Sequence, residues 1–466
     1  MDGILLSATK VAYKLKVSEQ YARKLMRDGK IKSEQVGRSW VTKEDNYKDY
    51  VNSGEFVVNP DDKIRPSHEI PEIVALSFFS GAQGLDYGFS KTCVKPILAC
   101  EINKDARSSI LANDSDIGLI GDIWDATPER IYEYANLPMG YPIDIIIGGP
   151  NCQPMSTAGK RKGFADIRGE AFIRYIDVIE EIRPKYFILE NVRGLLSVEA
   201  IFDDTNDKPV KGGVLHYTLN RFEKMGYAVS FQLYNAANFG APQGRERVIL
   251  LGKLGKKKLP YLTPTHSENG EFGLPKWNTL RDAIGDIQEG VHHYVDIPKG
   301  RKDWYTKIPE GGNWRSLSIE DQKKAMGNAY NSSGGKSGFF RRLDFNKVSP
   351  TLLTNPLMKA TDLVHPTELR PLSIEEYSRI QGFPDDWHFC GKIVEQYRQI
   401  GNAVPTQLGE AIGRTIMADI CGKMLPQYEG FKYSRYKNTD EISFKSDYQQ
   451  WYKDAMGKSL QMSLTI

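Results

Sequence analysis

The feature that most constrains the fold is a series of short apolar segments between Ile73 and Leu251 that alternate with helical stretches. The apolar runs are Ile73 to Phe79, Pro96 to Glu101, Ile143 to Gly148, Tyr186 to Glu190, Val229 to Tyr234 and Arg247 to Leu251. Each has strand length and strand-forming composition. Between most of them, Lys104 to Asn113, Glu170 to Ile182 and Leu215 to Met225 read as helices. Near-continuous apolar strands separated by helices describe a sheet covered on both faces, so the sequence predicts an α/β fold with a doubly wound, mostly parallel sheet. The last two runs are joined by about a dozen residues, too few for a crossover helix, and are expected to pair antiparallel.

At 466 residues the chain exceeds what one hydrophobic core organises, so several parts are expected. In residues 1–51, Val11, Ala12, Leu15 and Val17, then Tyr21, Ala22, Leu25 and Met26, recur at helical spacing, with Ser18 as a candidate cap between two short helices. Gly29 ends the second helix, a turn at Val36-Gly37-Arg38-Ser39 makes a hairpin, and a third helix follows. This stretch resembles the excisionase and MerR-like winged helix-turn-helix modules, and the resemblance implies that Gln20, Tyr21, Lys24, Arg27 and Arg38 face DNA, with Ser18 beside them. A small helical cap with solvated lysines is the plainer reading. Residues 52–71 are polar, proline-bearing and aperiodic, and read as a linker. Residues 72–252 hold the alternation described above, and residues 253–345 are basic, loop-rich and weakly periodic, as a second domain or large insertion would be. Residues 346–425 regain regularity, with Pro371 to Phe383 and Tyr397 to Met417 readable as helices, while the polar, Tyr-rich tail 426–466 suggests no function.

Charge is unevenly spread. Residues 1–50 carry +4 and residues 253–345 carry +5, which leaves −6 for the rest of a chain whose net charge is +3. Two basic segments on an acidic body suit a protein that presents chosen surfaces to a polyanion. No apolar stretch approaches a membrane span and the N-terminus lacks a signal pattern, so a cytoplasmic location is expected. The five cysteines contain no CxxC pair, which argues against a disulfide framework or a zinc site and leaves room for a nucleophile.

The chemistry-bearing residues sit where strands end. The first strand runs into Phe79-Ser80-Gly81-Ala82-Gln83-Gly84, a glycine-bearing turn that lets backbone approach a ligand, and Glu101 ends the second strand where an acidic residue can accept ribose hydroxyls. Asp122, after the third strand, could accept from an adenine amino group, or could be a plain surface residue. The fourth strand delivers Gly149-Pro150-Asn151-Cys152-Gln153-Pro154-Met155-Ser156, placing a cysteine on a tight loop at the sheet edge where ligands bind. The fifth delivers Glu190-Asn191-Val192, a carboxyl beside a thiol, which suggests an acid paired with a nucleophile, although a lone Glu serves equally as a cap.

The ordered set Phe79-x-Gly81, Gly149-Pro150-x-Cys152-Gln153, Glu190-Asn191-Val192, Gln243-x-Arg245-x-Arg247, Arg379-Ile380-Gln381-Gly382-Phe383-Pro384 and Gln399-Ile400-Gly401-Asn402-Ala403-Val404-Pro405 resembles the cytosine-5 DNA methyltransferases of bacteria and phage. The likeness covers 73–252 and 339–417 in the unpermuted family order. It implies the class I methyltransferase fold and S-adenosylmethionine as cofactor, bound by Phe79, Gly81, Gly84, Glu101, Ile102, Asp122, Ile123, Pro150 and Asn402. It implies covalent catalysis by Cys152 on a flipped-out cytosine, with Glu190 as the acid at ring nitrogen 3 and Arg247 on the base carbonyl, while Arg245 and Gln243 brace the loop. The implied partner is double-stranded DNA, with 253–345 as the target recognition region and 346–425 as the C-terminal part of the catalytic domain. Gln153, Ser156, Gln243, Arg315, Arg341 and Arg342 are the expected DNA contacts of the catalytic body, together with Trp314 and Phe339-Phe340 as groove residues. A monomer acting beside a separate restriction endonuclease is expected.

Asn151 replaces the usual proline before the nucleophile, and Gln83 replaces a glycine of the cofactor turn; both bear on efficiency more than on reaction type. Two rivals remain. An RNA cytosine-5 methyltransferase would use the same chemistry, and a transcriptional regulator would use residues 1–51 while the large domain senses cofactor. Gly334-Gly335-Lys336-Ser337 is not a phosphate-binding loop, because Tyr330 stands where its first glycine belongs, and His292-His293 reads as a solvated pair.

Overall fold

The computed structural model describes residues 5–463 apart from 16–18, 38, 54–61, 151–166, 203–207 and 288–291. The N-terminal segment contains β1 (Leu5–Ser7), α1 (Ala8–Leu15), α2 (Glu19–Arg27), β2 (Ser33–Val36), β3 (Ser39–Lys43) and α3 (Glu44–Ser53). β3 is the middle strand of a three-stranded antiparallel sheet, and Leu6, Val11, Ala22, Leu25, Met26 and Ile31 close a separate small core. Gly29, at φ +74°, ends α2 in the left-handed conformation that helix C-termini favour.

Next come β4 (Ala75–Phe78), α4 (Gly84–Ser90), β5 (Pro96–Cys100), α5 (Lys104–Asn113), β6 (Gly118–Ile120), α6 (Pro128–Tyr134), β7 (Ile145–Gly148), α7 (Ile167–Ile182) and β8 (Tyr186–Asn191). The short β9 (Ala200–Ile201) and β10 (Pro209–Val210) precede α8 (Gly213–Lys224), β11 (Tyr227–Asn235), β12 (Gln243–Gly244) and β13 (Glu246–Leu254). Seven of these strands form one sheet in the order β11-β13-β8-β7-β4-β5-β6. β4 to β8 are mutually parallel, and β13 runs antiparallel to both β8 and β11, as the short connection between the last two apolar runs requires.

Both faces are covered. Ile146, Phe172, Ile176, Phe187, Leu189 and Phe222 pack on one side and are fully buried, each contributing about 1.5–3 kcal/mol of burial. On the other face α14 (Thr406–Ile420) lies against α4 at backbone distance: a Cβ on Gly88 would stand 2.0 Å from the Thr406 carbonyl oxygen, and one on Gly84 2.4 Å from that of Val404. The C-terminal stretch therefore belongs to the same core as the sheet, and glycine is what lets the two helices touch.

Between β13 and α14 lie α9 (Leu280–Ile284), α10 (Lys299–Tyr305), α11 (Ile319–Met326), β14 (Ser349–Pro350), α12 (Ile374–Gln381) and α13 (Ile393–Asn402). Ile297, Tyr305, Ile308, Trp314, Leu317, Met326, Phe340 and Val364 form a core of their own. Leu280, Ile284 and Leu343 instead join Leu352, Leu363, Tyr377 and Ile400. β14 pairs parallel with β12, so the two ends of the insertion meet at Gln243 and Ser349.

Two expectations need correction. Tyr397 to Met417 is not one helix: Ala403-Val404-Pro405 separates α13 from α14, because Pro405 cannot continue the first helix and suits the start of the second. The end of the expected linker is packed structure. Lys63 pairs with Leu119 along the free edge of β6, and Asp62 accepts from the Gly121 amide at 2.7 Å and pairs with Arg130 at 3.0 Å. The C-terminal tail, to which the sequence assigned no role, folds back onto the sheet. Its last helix, α15 (Glu441–Ser463), buries Phe444 and Tyr448 in the core, while Tyr433 and Thr439 accept backbone hydrogen bonds from Asn235 and Leu233 of β11. Short polar segments that cover an edge strand have no periodicity to reveal them. Among the described residues, no helix is long and apolar enough to cross a membrane.

Candidate active site

A parallel sheet brings the ends of its strands to one edge, and here those ends carry Phe79, Glu101, Pro150 and Glu190. Because β13 runs the opposite way, its first residues, Glu246 and Arg247, arrive at that same edge beside Glu190. The result is an ion pair with Arg247 Nε 2.8 Å from Glu190 Oε1 and both side chains almost buried, at 13% and 12% exposure. Burial pushes the Glu190 carboxyl up, while the Arg247 guanidinium pulls against it. Glu190 is thus a carboxyl biased toward holding its proton, next to a fixed donor. Gly149 makes the room: a Cβ there would lie 2.8 Å from Glu190 Oε2.

Asn191 Nδ2 donates to the Pro150 carbonyl at 2.8 Å, tying the ends of β7 and β8 together two residues before the cysteine in the sequence. Asn151, Cys152, Gln153 and Ser156 themselves lie outside the described residues, as do Ser18 and Arg38 and the side chains of Gln20, Tyr21 and Lys24.

Arg245 is 1% exposed, and its guanidinium donates to the carbonyls of Leu352 at 3.0 Å, Gly401 at 2.9 Å and Asn402 at 3.3 Å. It fastens β13 to the chain on the far side of the insertion. Gln243 is fully buried and donates to the Ile380 carbonyl and to Gln381. Its expected DNA contact is therefore corrected to a structural bond, since its amide is spent inside the protein. Arg379 pairs with Asp286 and Asp385, joining insertion and C-terminal segment.

A cavity of about 550 Å³ joins Glu190, Arg247 and Pro150 to the turn after β4 and to Glu101 and Asn402. Its size lies within the range of small-ligand sites. In the turn, Phe79 at φ +56°, Gly81 at +52° and Gln83 at +63° take left-handed backbone, a strained arrangement for the two non-glycine residues. Glu101 holds the turn: its Oε2 accepts from the Gly81 amide at 2.8 Å and its Oε1 from the Asn103 amide at 2.7 Å. Ile102 beside it is 68% exposed, unusual for so apolar a side chain. Asp122 accepts from the Trp124 amide at 3.1 Å and caps the turn that follows β6. Ile123 is 6% exposed in the main core, so its side chain packs rather than faces solvent.

Sequence reasoning missed Asp86 under this turn. Its carboxylate is 4% exposed and accepts from Ser77 Oγ at 2.7 Å, and burial pushes its pKa up to about 7 against the downward pull of that bond. An Asp in a short helix carries no sign of burial in the sequence, and here five of the seven residues of α4 are buried.

A second, larger cleft of about 1090 Å³ opens from Arg247 between the catalytic sheet and the insertion. Arg341 lines it, half-buried, with Nε donating to the Asp362 carbonyl at 2.9 Å. Arg342 does not: it is 7% exposed and donates to the carbonyls of Pro366 and Tyr305, which corrects the expected DNA contact to an internal brace. Trp314 and Phe340 are likewise core residues, whereas Arg315 is exposed with its guanidinium 4.8 Å from the Trp314 ring centre. Arg27 is exposed on α2 beside Asp28. The two histidines divide: His293 is exposed and bonded to Glu375 at 2.6 Å, but His292 is buried within reach of Ser373 and Arg370, so the solvated-pair reading holds for one only. Among the described residues no cluster could hold a metal ion.

Residues 73–418 match the family described as C-5 cytosine-specific DNA methylase. The Type II methyltransferase M.Sau96I of Staphylococcus aureus is 37% identical over 344 residues, covering 73% of this chain and 74% of that protein. The Type II methyltransferase M.Eco47II of Escherichia coli is 31% identical over 431 residues, covering 88% and 95% respectively. A solved prophage-encoded protein of E. coli, described as a DNA modification methyltransferase, superposes with a TM-score of 0.53 at 22% identity over 75% of this chain and 100% of that one, a likeness of fold. With the family matched over most of its length, the chain belongs to the C-5 cytosine-specific DNA methylases and is a DNA (cytosine-5) methyltransferase.

Proposed function

We propose that the protein methylates carbon 5 of a cytosine within a specific double-stranded DNA sequence, using S-adenosylmethionine and covalent catalysis by Cys152, as the modification partner of a separate restriction endonuclease. The observation that carries the reading is the Glu190–Arg247 pair at the end of β8, opening into the same cavity as the Phe79 to Gly84 turn and Glu101.

The cavity suits the cofactor. Glu101 is an acidic residue at the end of the second strand, able to accept from ribose hydroxyls, and exposed Ile102 offers an apolar surface to an adenine. Pro150 and Asn402 line the same cavity, whereas Asp122 and the buried Ile123, at the next strand end, lie outside its lining. When bound, S-adenosylmethionine supplies an activated methyl group as a sulfonium.

The protein's own residues make the ring reactive. The target base leaves the helical stack, at a cost of a few kcal/mol, because none of these groups reaches a stacked cytosine. Glu190, kept toward its acid form by burial, donates to ring nitrogen 3, and Arg247 donates to the base carbonyl. Both withdraw electron density from carbon 6, where the Cys152 thiolate adds. Carbon 5 thereby becomes enamine-like and nucleophilic. After methylation, loss of its proton and expulsion of the thiolate restore the aromatic ring. Arg245 acts by positioning, holding β13 and with it Arg247.

Residues 1–51 are proposed to bind DNA, and residues 253–345, through Arg315 and Arg341, to read the target. Incubating unmethylated genomic DNA with the protein and S-adenosylmethionine, then mapping 5-methylcytosine, tests the whole reading. Methylation in one short sequence context, absent with Cys152→Ala, supports it. Absence with the wild type, alongside sequence-selective binding by the full chain, favours a regulator.

A further inference from the structure

The C-terminal strap ends where the chemistry is. β11 runs parallel to β8, so its last residue, Asn235, stands at the active edge opposite Glu246. There the Asn235 amide donates to the Tyr433 carbonyl at 2.8 Å, and Asn238 Nδ2 donates to the same oxygen at 3.1 Å. Glu246 then secures the next turn of the strap, accepting from Ser434 Oγ at 2.7 Å and from the Arg435 amide at 3.2 Å. This holds Lys432, Arg435 and Tyr436 on the wall of the large cleft, one residue along the strand from Arg247.

The charges there face solvent. Lys432 is exposed and the Arg435 side chain is 76% exposed, with a loose 3.6 Å ionic approach to Glu246. The ring of Tyr436 is approached by two guanidinium groups, Arg193 at 4.1 Å and Arg435 at 5.0 Å from its centre. Arg193 follows the Glu190-Asn191-Val192 segment directly, so the cationic cluster continues from the catalytic strand onto the strap. Glu268 and Glu271 line the cleft as well, and Glu271 is engaged by Asn269.

We propose that residues 432–436 are a phosphate-binding clamp for the duplex, in which Lys432 and Arg435 grip the DNA backbone beside the flipped cytosine from the wall of the cleft. The proposal rests on the methylation reading for its duplex, and it gives the C-terminal extension a binding role in addition to a structural one. Exposed cations held on a fixed backbone, with no base-shaped pocket of their own, contact phosphate rather than read sequence. Each phosphate neutralised contributes about 0.9 to the slope of log affinity against log salt.

The test is fluorescence anisotropy of a labelled mixed-sequence duplex with the full chain at several sodium chloride concentrations. Lys432→Ala with Arg435→Ala is expected to flatten the salt slope by about 1.8, so that going from about 50 to 200 mM salt costs the variant about tenfold less affinity than it costs the wild type. S-adenosylmethionine affinity should not change, which excludes misfolding. Lys432→Arg with Arg435→Lys, keeping both charges, should restore the wild-type slope, and Lys445→Ala on exposed α15 should leave it alone. A double alanine variant with the wild-type slope overturns the clamp, as does a loss of slope that Lys445→Ala reproduces. A wild type that binds no duplex overturns the methylation reading, and the clamp with it.

Discussion

Replacing Asp86 with asparagine should change how the protein's stability depends on pH. The Asp86 carboxyl lies beneath the turn after β4, 4% exposed, with Ser77 Oγ as its hydrogen-bond donor. Its pKa is pushed from the ordinary 3.8 to about 7 by burial. In the unfolded chain the group ionises near 3.8, whereas in the fold it keeps its proton until about 7. Its favourable contribution is therefore complete below pH 3.8 and is lost as the pH rises through the interval to about 7. At about 1.4 kcal/mol per pH unit the whole interval corresponds to about 4 kcal/mol, of which about 2 kcal/mol falls between pH 5.5 and 8.5. Asparagine keeps an acceptor for Ser77 and cannot ionise. Urea unfolding of wild type and Asp86→Asn at both pH values gives the double difference, in which all other titrating groups cancel. The variant should lose about 2 kcal/mol less than the wild type on going to pH 8.5. Parallel pH profiles for the two proteins would refute the argument that a buried proton sits at Asp86.

Other substitutions probe the remaining links. Glu190→Gln removes the transferable proton while keeping shape, and should lower kcat for methylation by about 10²–10⁴-fold with S-adenosylmethionine affinity retained. In the wild type, kcat should fall as pH rises through the upward-shifted Glu190 ionisation, and the variant should lose that limb. Gly88→Ala places a methyl 2.0 Å from the Thr406 carbonyl and should destabilise by about 1–3 kcal/mol, read as a lower urea midpoint. Phe444→Ala should cost about 3–5 kcal/mol, because the side chain is 3% exposed in the main core; a neutral result would show that the tail does not support the sheet.

What the sequence revealed follows from what leaves a periodic trace. Strands β4, β5, β7 and β8 were legible because burial on both faces makes them uninterrupted apolar runs, and the antiparallel β13 was legible because its connection is too short to cross over. The meeting of Glu190 with Arg247 left no periodic trace and was implied by the family resemblance alone, since 57 positions separate them and the direction of β13 joins them. Arg341 and Arg342 are adjacent and chemically equal in sequence, yet one lines a cleft and the other is buried on carbonyls. Nothing short of the fold separates them. The same holds for His292 and His293, and for Asp86, whose burial depends on a turn that packs over it.

The two covered edges of the sheet set a limit on how far this enzyme can be trimmed. The family match ends at residue 418 and begins at 73, so a protein cut to those bounds would keep every strand of the sheet. It would nevertheless lose Lys63 from β6 and the 433–440 segment from β11, uncovering the hydrogen-bonding groups of both outer strands at once. Exposed strand edges recruit one another, and the loss of Phe444 and Tyr448 would add a fresh apolar surface beside one of them. Such a fragment should aggregate although its catalytic residues are all present, and useful end points for crystallisation or engineering lie outside residues 73–418.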